Sequence, residues 1–273
     1  MCGIAGYVSD TTFASSTLAV MTGCLVHRGP DAGGVFSRGP AHLGHRRLSV
    51  IDIAGSAQPM SSADGAVTVV FNGEIYNFRA LRAELAHGWN FRTSGDTEVL
   101  LAGWHAWGAR MVDRLRGMFA FALWDARDAT LFAARDHLGV KPFHYAWDGA
   151  TFVFGSEIKA LLAHPAVSRE LDLTALRLYL ECQFVPAPYS IFAGIRKLPP
   201  GHELRLRDGQ LDIRRLWLPD YADQFALDDT DATAALAREL RASARGMLVA
   251  GLPGRAFARH RVSSRFAAGP LAP

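Results

Sequence analysis

The chain has 273 residues, 49% hydrophobic and 20% charged, with a net charge of +3 at pH 7. That is an ordinary soluble composition with enough apolar material for a sizeable core, and it excludes a low-complexity or strongly polyionic chain. No apolar run reaches the ~18 residues of a membrane span. The start lacks the basic and apolar regions of a secretory leader. Cys2, Cys24 and Cys182 lie too far apart to form a disulfide framework or a metal-ligand spacing, and a reducing, cytoplasmic setting is expected. The six arginines after Leu240 stand without any Asp, Glu or Lys, so the basic balance belongs to the tail. They form no dense run and are interleaved with few aromatics, so no nucleic-acid partner is expected.

The first element is the most informative. Met1-Cys2 is followed by Gly3-Ile4-Ala5-Gly6-Tyr7-Val8, a buried strand. Removal of Met1 would leave thiol and α-amine on one residue. An amine of pKa roughly 7.7–8.0 can serve its own side chain as base. Cys2 is therefore either a nucleophile or a small core hydrophobe.

Leu18, Met21, Cys24 and Leu25 have helical spacing, with Ser15 or Ser16 as cap. Gly29-Pro30 ends that helix, and Gly33-Gly34 is expected to turn the chain before a strand at Val35-Phe36. His42 to Asp52 reads as a strand entering a polar loop. Its Arg46-Arg47 pair is either a solvated pair or a carboxylate fork. Val67–Phe71 is a β-branched strand that is expected to stop at Asn72-Gly73. There a turn would present an amide side chain and a glycine N–H as oxyanion donors. A helix follows from Phe78. Ser94-Gly95-Asp96-Thr97-Glu98 opens another, with Asp96 or Ser94 as cap.

Gly117–Asp125, Thr130–Asp136, Lys141–Tyr145 and Thr151–Phe154 read as an antiparallel meander, and a short helix starts after Ser156. The first ~160 residues thus combine two or three helices with about eight strands, an α+β layered domain. A helix over Leu173–Cys182 and a hairpin around Asp208-Gly209 follow. The expected division is a domain over 2–215, a linker over 216–230, a helix over 231–250 and a disordered tail over 251–273.

Taken in order, Cys2-Gly3-Ile4-Ala5-Gly6, His27-Arg28-Gly29-Pro30-Asp31, His45-Arg46-Arg47-Leu48-Ser49, Asn72-Gly73-Glu74-Ile75-Tyr76-Asn77 and Ser94-Gly95-Asp96-Thr97-Glu98 resemble the glutaminase domain of glutamine-dependent asparagine synthetases. These are class II amidotransferases of the N-terminal nucleophile hydrolase type. Ala134–Gly139, Ser156–Leu161 and Leu198–His202 extend the likeness, which covers about residues 2–250.

The resemblance implies a four-layer αββα sandwich and hydrolysis of glutamine to glutamate and ammonia. It makes Cys2 the nucleophile and Asn72 and Gly73 the oxyanion donors. Arg47 would take the α-carboxylate, and Asp96 the α-amine with Glu74 nearby. The backbone from Leu48 through Ser49 and Val50 to Ile51 would line the pocket. Glutamine is then the small-molecule partner, with no membrane partner and no cofactor for this domain. A homodimer or a separate synthetase chain is possible.

ATP and Mg belong, by the same resemblance, to a synthetase domain that amidates aspartate. Its Ser-Gly-Gly-x-Asp-Ser loop should follow Phe257, but the chain reads Ala258-Arg259-His260-Arg261. A synthetase domain cut short, with the glutaminase intact, is the expectation. The alternatives are a related amidotransferase with another acceptor, or a non-catalytic remnant.

Overall fold

Cys2 lies at the start of a strand that runs through the middle of a six-stranded sheet. A computed structural model describes residues 1–53, 55–222 and 226–247. In chain order the elements are β1 (Gly3–Ser9), α1 (Thr17–Gly23), β2 (Ala32–Arg38), β3 (Ala41–Arg47), β4 (Met60–Ser61) and β5 (Val67–Ile75). Then come α2 (Phe78–Leu85), α3 (Thr97–Trp107), β6 (Gly117–Asp125), β7 (Thr130–Arg135), β8 (His144–Trp147) and β9 (Thr151–Gly155). They are followed by α4 (Ile158–Leu162), α5 (Leu173–Cys182), β10 (Ile195–Lys197), β11 (His202–Arg207), β12 (Gln210–Arg215) and α6 (Asp229–Met247).

One sheet has the order β10-β8-β9-β1-β3-β2 and the other β12-β11-β7-β6-β5-β4. Every pairing is antiparallel. Alternation along the strands assigns the faces. Ile4, Leu43, Val70, Ala120, Ala122, Phe152 and Phe154 form the core between the sheets. Ala5, Tyr7 and Val153 point the other way, onto Leu18, Met21 and Leu25 of the α1 region and Leu161 of α4. On the far side, Trp104 of α3 packs 4.9 Å from Phe132 of β7. The architecture is therefore the α+β sandwich of helix, sheet, sheet and helix layers.

The chain divides after Pro219 into two units, and α6 is the described helix of the second. The tail expected to be disordered, 251–273, lies outside the described residues.

Four expectations need correction. Gly33 and Gly34 lie inside β2, not in a turn before it. A Cβ on Gly34 would meet the Gln58 carbonyl oxygen at 2.3 Å, so the glycine serves close approach. Asn72-Gly73 is not a turn either. β5 continues to Ile75, with Asn72 opposite Ala120 and Gly73 opposite Phe119. Pairing along the whole of β6 overrides the local Asn-Gly signal. The expected meander is divided: β6 and β7 belong to one sheet, β8 and β9 to the other, and Lys141 to Phe143 lie in the crossing loop. Among the described residues the region to residue 162 holds four α-helices rather than two or three, with nine strands where about eight are expected.

Candidate active site

Period-2 alternation carries from the core to the open end between the sheets. Ile4 faces inward, so Cys2 does too. Ala41 and Leu43 face inward, and so do His45 and Arg47. Val70 faces inward, followed by Asn72 and Glu74. One step beyond the Gly3–Arg46 pair lie Cys2 and Arg47. His45 ties the two sheets behind them: its Nε2–H donates to the Phe71 carbonyl at 3.0 Å. Burial holds its pKa down at about 4, so the ring is neutral.

These side chains meet in a cavity of about 190 Å³, lined by Cys2, Arg47, Leu48, Val50, Ile51, Asn72, Gly73, Glu74 and Asp96 among others. Nine of the ten expected site residues are thus brought together. Ser49 is the exception. It does not line the cavity, and its backbone N–H donates to Asp31 Oδ2 at 2.8 Å. The loop turns its backbone outward at that step.

The sulfur of Cys2 accepts from the Leu48 N–H at 3.4 Å. Burial pushes the thiol pKa up, against the Leu48 hydrogen bond and the nearby terminal amine and Arg47. The Cys2 carbonyl accepts from Arg28 Nε at 2.9 Å, and Arg28 Nη1 pairs with Glu157 at 2.9 Å.

The donor pair is built by strand geometry. Phe71 N–H donates to Gln58 Oε1 at 2.7 Å, and Ile75 N–H to Asp96 Oδ2 at 3.0 Å. Both point away from β6, so the N–H of Gly73, between them in the same period, points the same way, along the cavity wall. Phe119, opposite Gly73, directs its own N–H to Asp136 instead. The buried Nδ2 of Asn72 has no hydrogen-bond partner among the described residues. A buried donor without an acceptor costs about 1–3 kcal/mol, so its retention points to a ligand oxygen.

Asp96 occupies the first position before α3 but does not cap it. Its carboxylate holds the Ile75 N–H, and burial raises its pKa to about 6. Glu74 is half-buried, and burial raises its pKa while Lys141 pulls it back. Arg47 donates to the carbonyls of Ile51, Asp52 and Ile53 at 3.2, 2.6 and 2.8 Å, shaping the loop over the cavity. Asp52 staples that loop to the next segment by accepting from Ser94 N–H at 3.0 Å.

Sequence reasoning missed Gln58, Thr97, Met118 and Lys141 on the cavity wall, and the anchoring role of Arg28 with Glu157. Arg28 and Glu157 sat in noted motifs. Lys141 lies in the loop between β7 and β8, where the sequence predicts a strand.

A half-buried cysteine sulfur on one cavity with the Gly73 backbone and an Asn72 amide that has no acceptor among the described residues, with carboxylates and a guanidinium on the remaining walls, suits acyl transfer from an amide of an amino acid. Residues 1–217 match the family profile of the glutamine amidotransferase domain. The chain belongs to that family.

Among relatives of this glutamine amidotransferase domain, asparagine synthetase [glutamine-hydrolyzing] 3 of Bacillus subtilis is 42% identical, over 88% of this chain and 40% of its own length. Asparagine synthetase [glutamine-hydrolyzing] 1 of the same organism is 39% identical, over 78% and 35%. Amidase chry2 of Gibberella zeae is 30% identical, over 98% and 42%. The chain therefore spans well under half the length of these relatives. Two solved structures share the fold at 21% identity. They are glutamine phosphoribosylpyrophosphate amidotransferase from B. subtilis with ADP and GMP (TM-score 0.58) and an allosteric regulatory enzyme of purine biosynthesis (TM-score 0.60). Each covers 80% of this chain and 50% of its own.

Proposed function

We propose that the cavity hydrolyses the side-chain amide of glutamine, with Cys2 as nucleophile once Met1 is removed. The Cys2 thiol gives its proton, through a water, to its own α-amine, and the thiolate attacks the amide carbon. Asn72 Nδ2 and the Gly73 N–H receive the oxyanion. Collapse breaks the C–N bond, and the ammonium proton leaves with ammonia. Water then cleaves the thioester, releasing glutamate and restoring the thiol. Arg47 with the backbone of Leu48, Val50 and Ile51 receives the α-carboxylate, and Asp96 and Glu74 the α-amine. What supports this reading above all is the acceptorless Asn72 amide beside the sulfur-bearing cavity.

The ammonia acceptor is aspartate in the reading closest to the B. subtilis relatives, in an ATP-dependent step. The described residues assemble no group of three His, Cys, Asp or Glu fit to hold a metal ion. The Gibberella zeae amidase, aligned with 98% of this chain, favours a second reading in which the same glutaminase serves another acceptor. In domain terms the proposal is a glutaminase over 2–215, a linker over 216–230 and a separate helical start over 231–250.

The test incubates the full chain with glutamine and measures glutamate and ammonia, with Met1 removal checked by N-terminal mass. Cys2→Ala is expected to abolish release. Undiminished ammonia from that variant sinks the mechanism.

A further inference from the structure

Lys141 inverts the usual choice of what to bury. Lysine is among the residues least often buried, yet Lys141 is 6% exposed while its neighbours Leu138 and Val140 are 70% and 53% exposed. It lines the same cavity as Cys2, Asn72 and Glu74. The ion pairs among the described residues do not include it. A buried ammonium held in this way is costly unless something anionic faces it.

Its backbone is fixed at both ends. Asp136, itself buried, accepts from the N–H groups of Lys141 at 3.0 Å, Val140 at 2.9 Å and Leu138 at 3.2 Å, and from Phe119 at 3.1 Å. Arg135 Nε donates to the Lys141 carbonyl at 2.7 Å. Phe119 is the ladder partner of Gly73. The loop that carries the ammonium is thus pinned to the strand beside the oxyanion donors. This is expected of a group that must be in place before the reaction.

We propose that Lys141 is a positioning residue for the sulfur: its ammonium is a fixed counter-charge of the Cys2 thiolate, added to Arg47 across the same cavity. It acts through Cys2, both when the thiol proton leaves for the amine and when the C–S bond breaks at thioester hydrolysis. Lys141 itself forms and breaks no bond. At the sulfur the terminal amine and Arg47 favour the thiolate and Asp96 opposes it; Arg28, Lys141 and Asp31 act on that amine, and Glu74, Arg28 and Asp136 act on Lys141. Burial lowers the Lys141 pKa and Arg28 adds to that, while Glu74, then Cys2 and then Asp136 raise it, so the sulfur is among the anions that the ammonium feels. This role rests on the glutaminase reading.

The test is the pH dependence of Cys2 alkylation by iodoacetamide in the full chain, read by mass on the N-terminal peptide so that Cys24 and Cys182 do not contribute. Alkylation needs no turnover. It can succeed or fail independently of the Cys2→Ala ammonia assay, which alone tests the glutaminase reading. In Lys141→Met the alkylation rate at pH 7 is expected to fall about three- to tenfold, with the midpoint moving to higher pH. Lys141→Arg is expected to restore the wild-type midpoint. Glu74→Gln, which frees the ammonium for the sulfur, is expected to move the midpoint down. Removing a lone buried cation lowers a desolvation cost, so Lys141→Met is expected to fold. Should it not, Lys141→Arg and Glu74→Gln decide the matter. An unmoved midpoint in Lys141→Met or in Glu74→Gln, or failure of Lys141→Arg to restore it, overturns the assignment.

Discussion

Arg28 Nε lies 2.9 Å from the carbonyl oxygen of Cys2, so a half-buried guanidinium holds the backbone of the residue that carries the sulfur. Its other arm is fixed by Glu157, which also meets His27 at 3.0 Å and Lys159 at 3.3 Å. Arg28→Met should release the start of β1. Misplacement of an attacking atom by an ångström can cost about a hundredfold, so kcat for ammonia release should fall about ten- to a hundredfold with a smaller change in KM. Against burial, the Arg28, His27 and Lys159 contacts bring the Glu157 pKa down to about 2. That stability is present above the ordinary carboxylate pKa and is lost as pH falls toward about 2. The stability gap between wild type and Arg28→Met, measured by denaturant unfolding, should narrow across that range.

Asn72→Ala separates activity from stability. Removing one oxyanion donor typically costs ~10²–10³ in kcat. The same change deletes a buried donor that has no acceptor among the described residues. Thermal unfolding should therefore show a midpoint at or above that of wild type. A variant that loses both activity and several degrees of stability would contradict the donor role.

Gly73 is constrained by space. A Cβ there would lie 2.3 Å from the Met118 carbonyl oxygen and 2.7 Å from the Phe119 Cα, both backbone atoms. Gly73→Ala should push β5 off β6, costing about 1–3 kcal/mol, and should rotate the neighbouring N–H. The denaturant midpoint and kcat should fall together.

Asp96 sets an acid limb. Its carboxyl is pushed up to about 6 by burial. The folded state thus binds a proton that the unfolded chain, at about 3.9, has released. This contribution to stability is complete below about pH 4 and is lost as pH rises through about 6. An amine ligand needs the carboxylate, so kcat/KM for glutamine should drop as pH falls below about 6. In Asp96→Asn that limb should vanish, KM should rise and stability should become flatter with pH.

The strands β1, β3 and β5 were legible in the sequence as far as Phe71, whereas the grouping of Cys2, Arg47, Asn72 and Glu74 in one site came from the family likeness and not from their alternation. The end of β5 was not. Asn-Gly is a strong local turn signal, whereas the pairing of Asn72 to Ile75 is decided by β6, more than forty residues away in the chain. Lys141 was illegible for a similar reason. Its loop is shaped by the Asp136 carboxylate and by Phe119, and nothing between residues 136 and 143 marks a crossing between sheets. The likeness to a family was carried by motifs, but the outward turn of Ser49 depends on a single contact with Asp31.

β1 has a further consequence for how the chain matures. Its partners are β3 and β9, and Ala5 meets Gly155 across the ladder. During synthesis the second neighbour of the segment bearing the sulfur is translated about 150 residues after it. Loop closure over such a span is slow compared with local hairpin formation. The reactive thiol is thus made early and seated late, and a nascent chain released before β9 would carry an unsheltered cysteine rather than a working hydrolase.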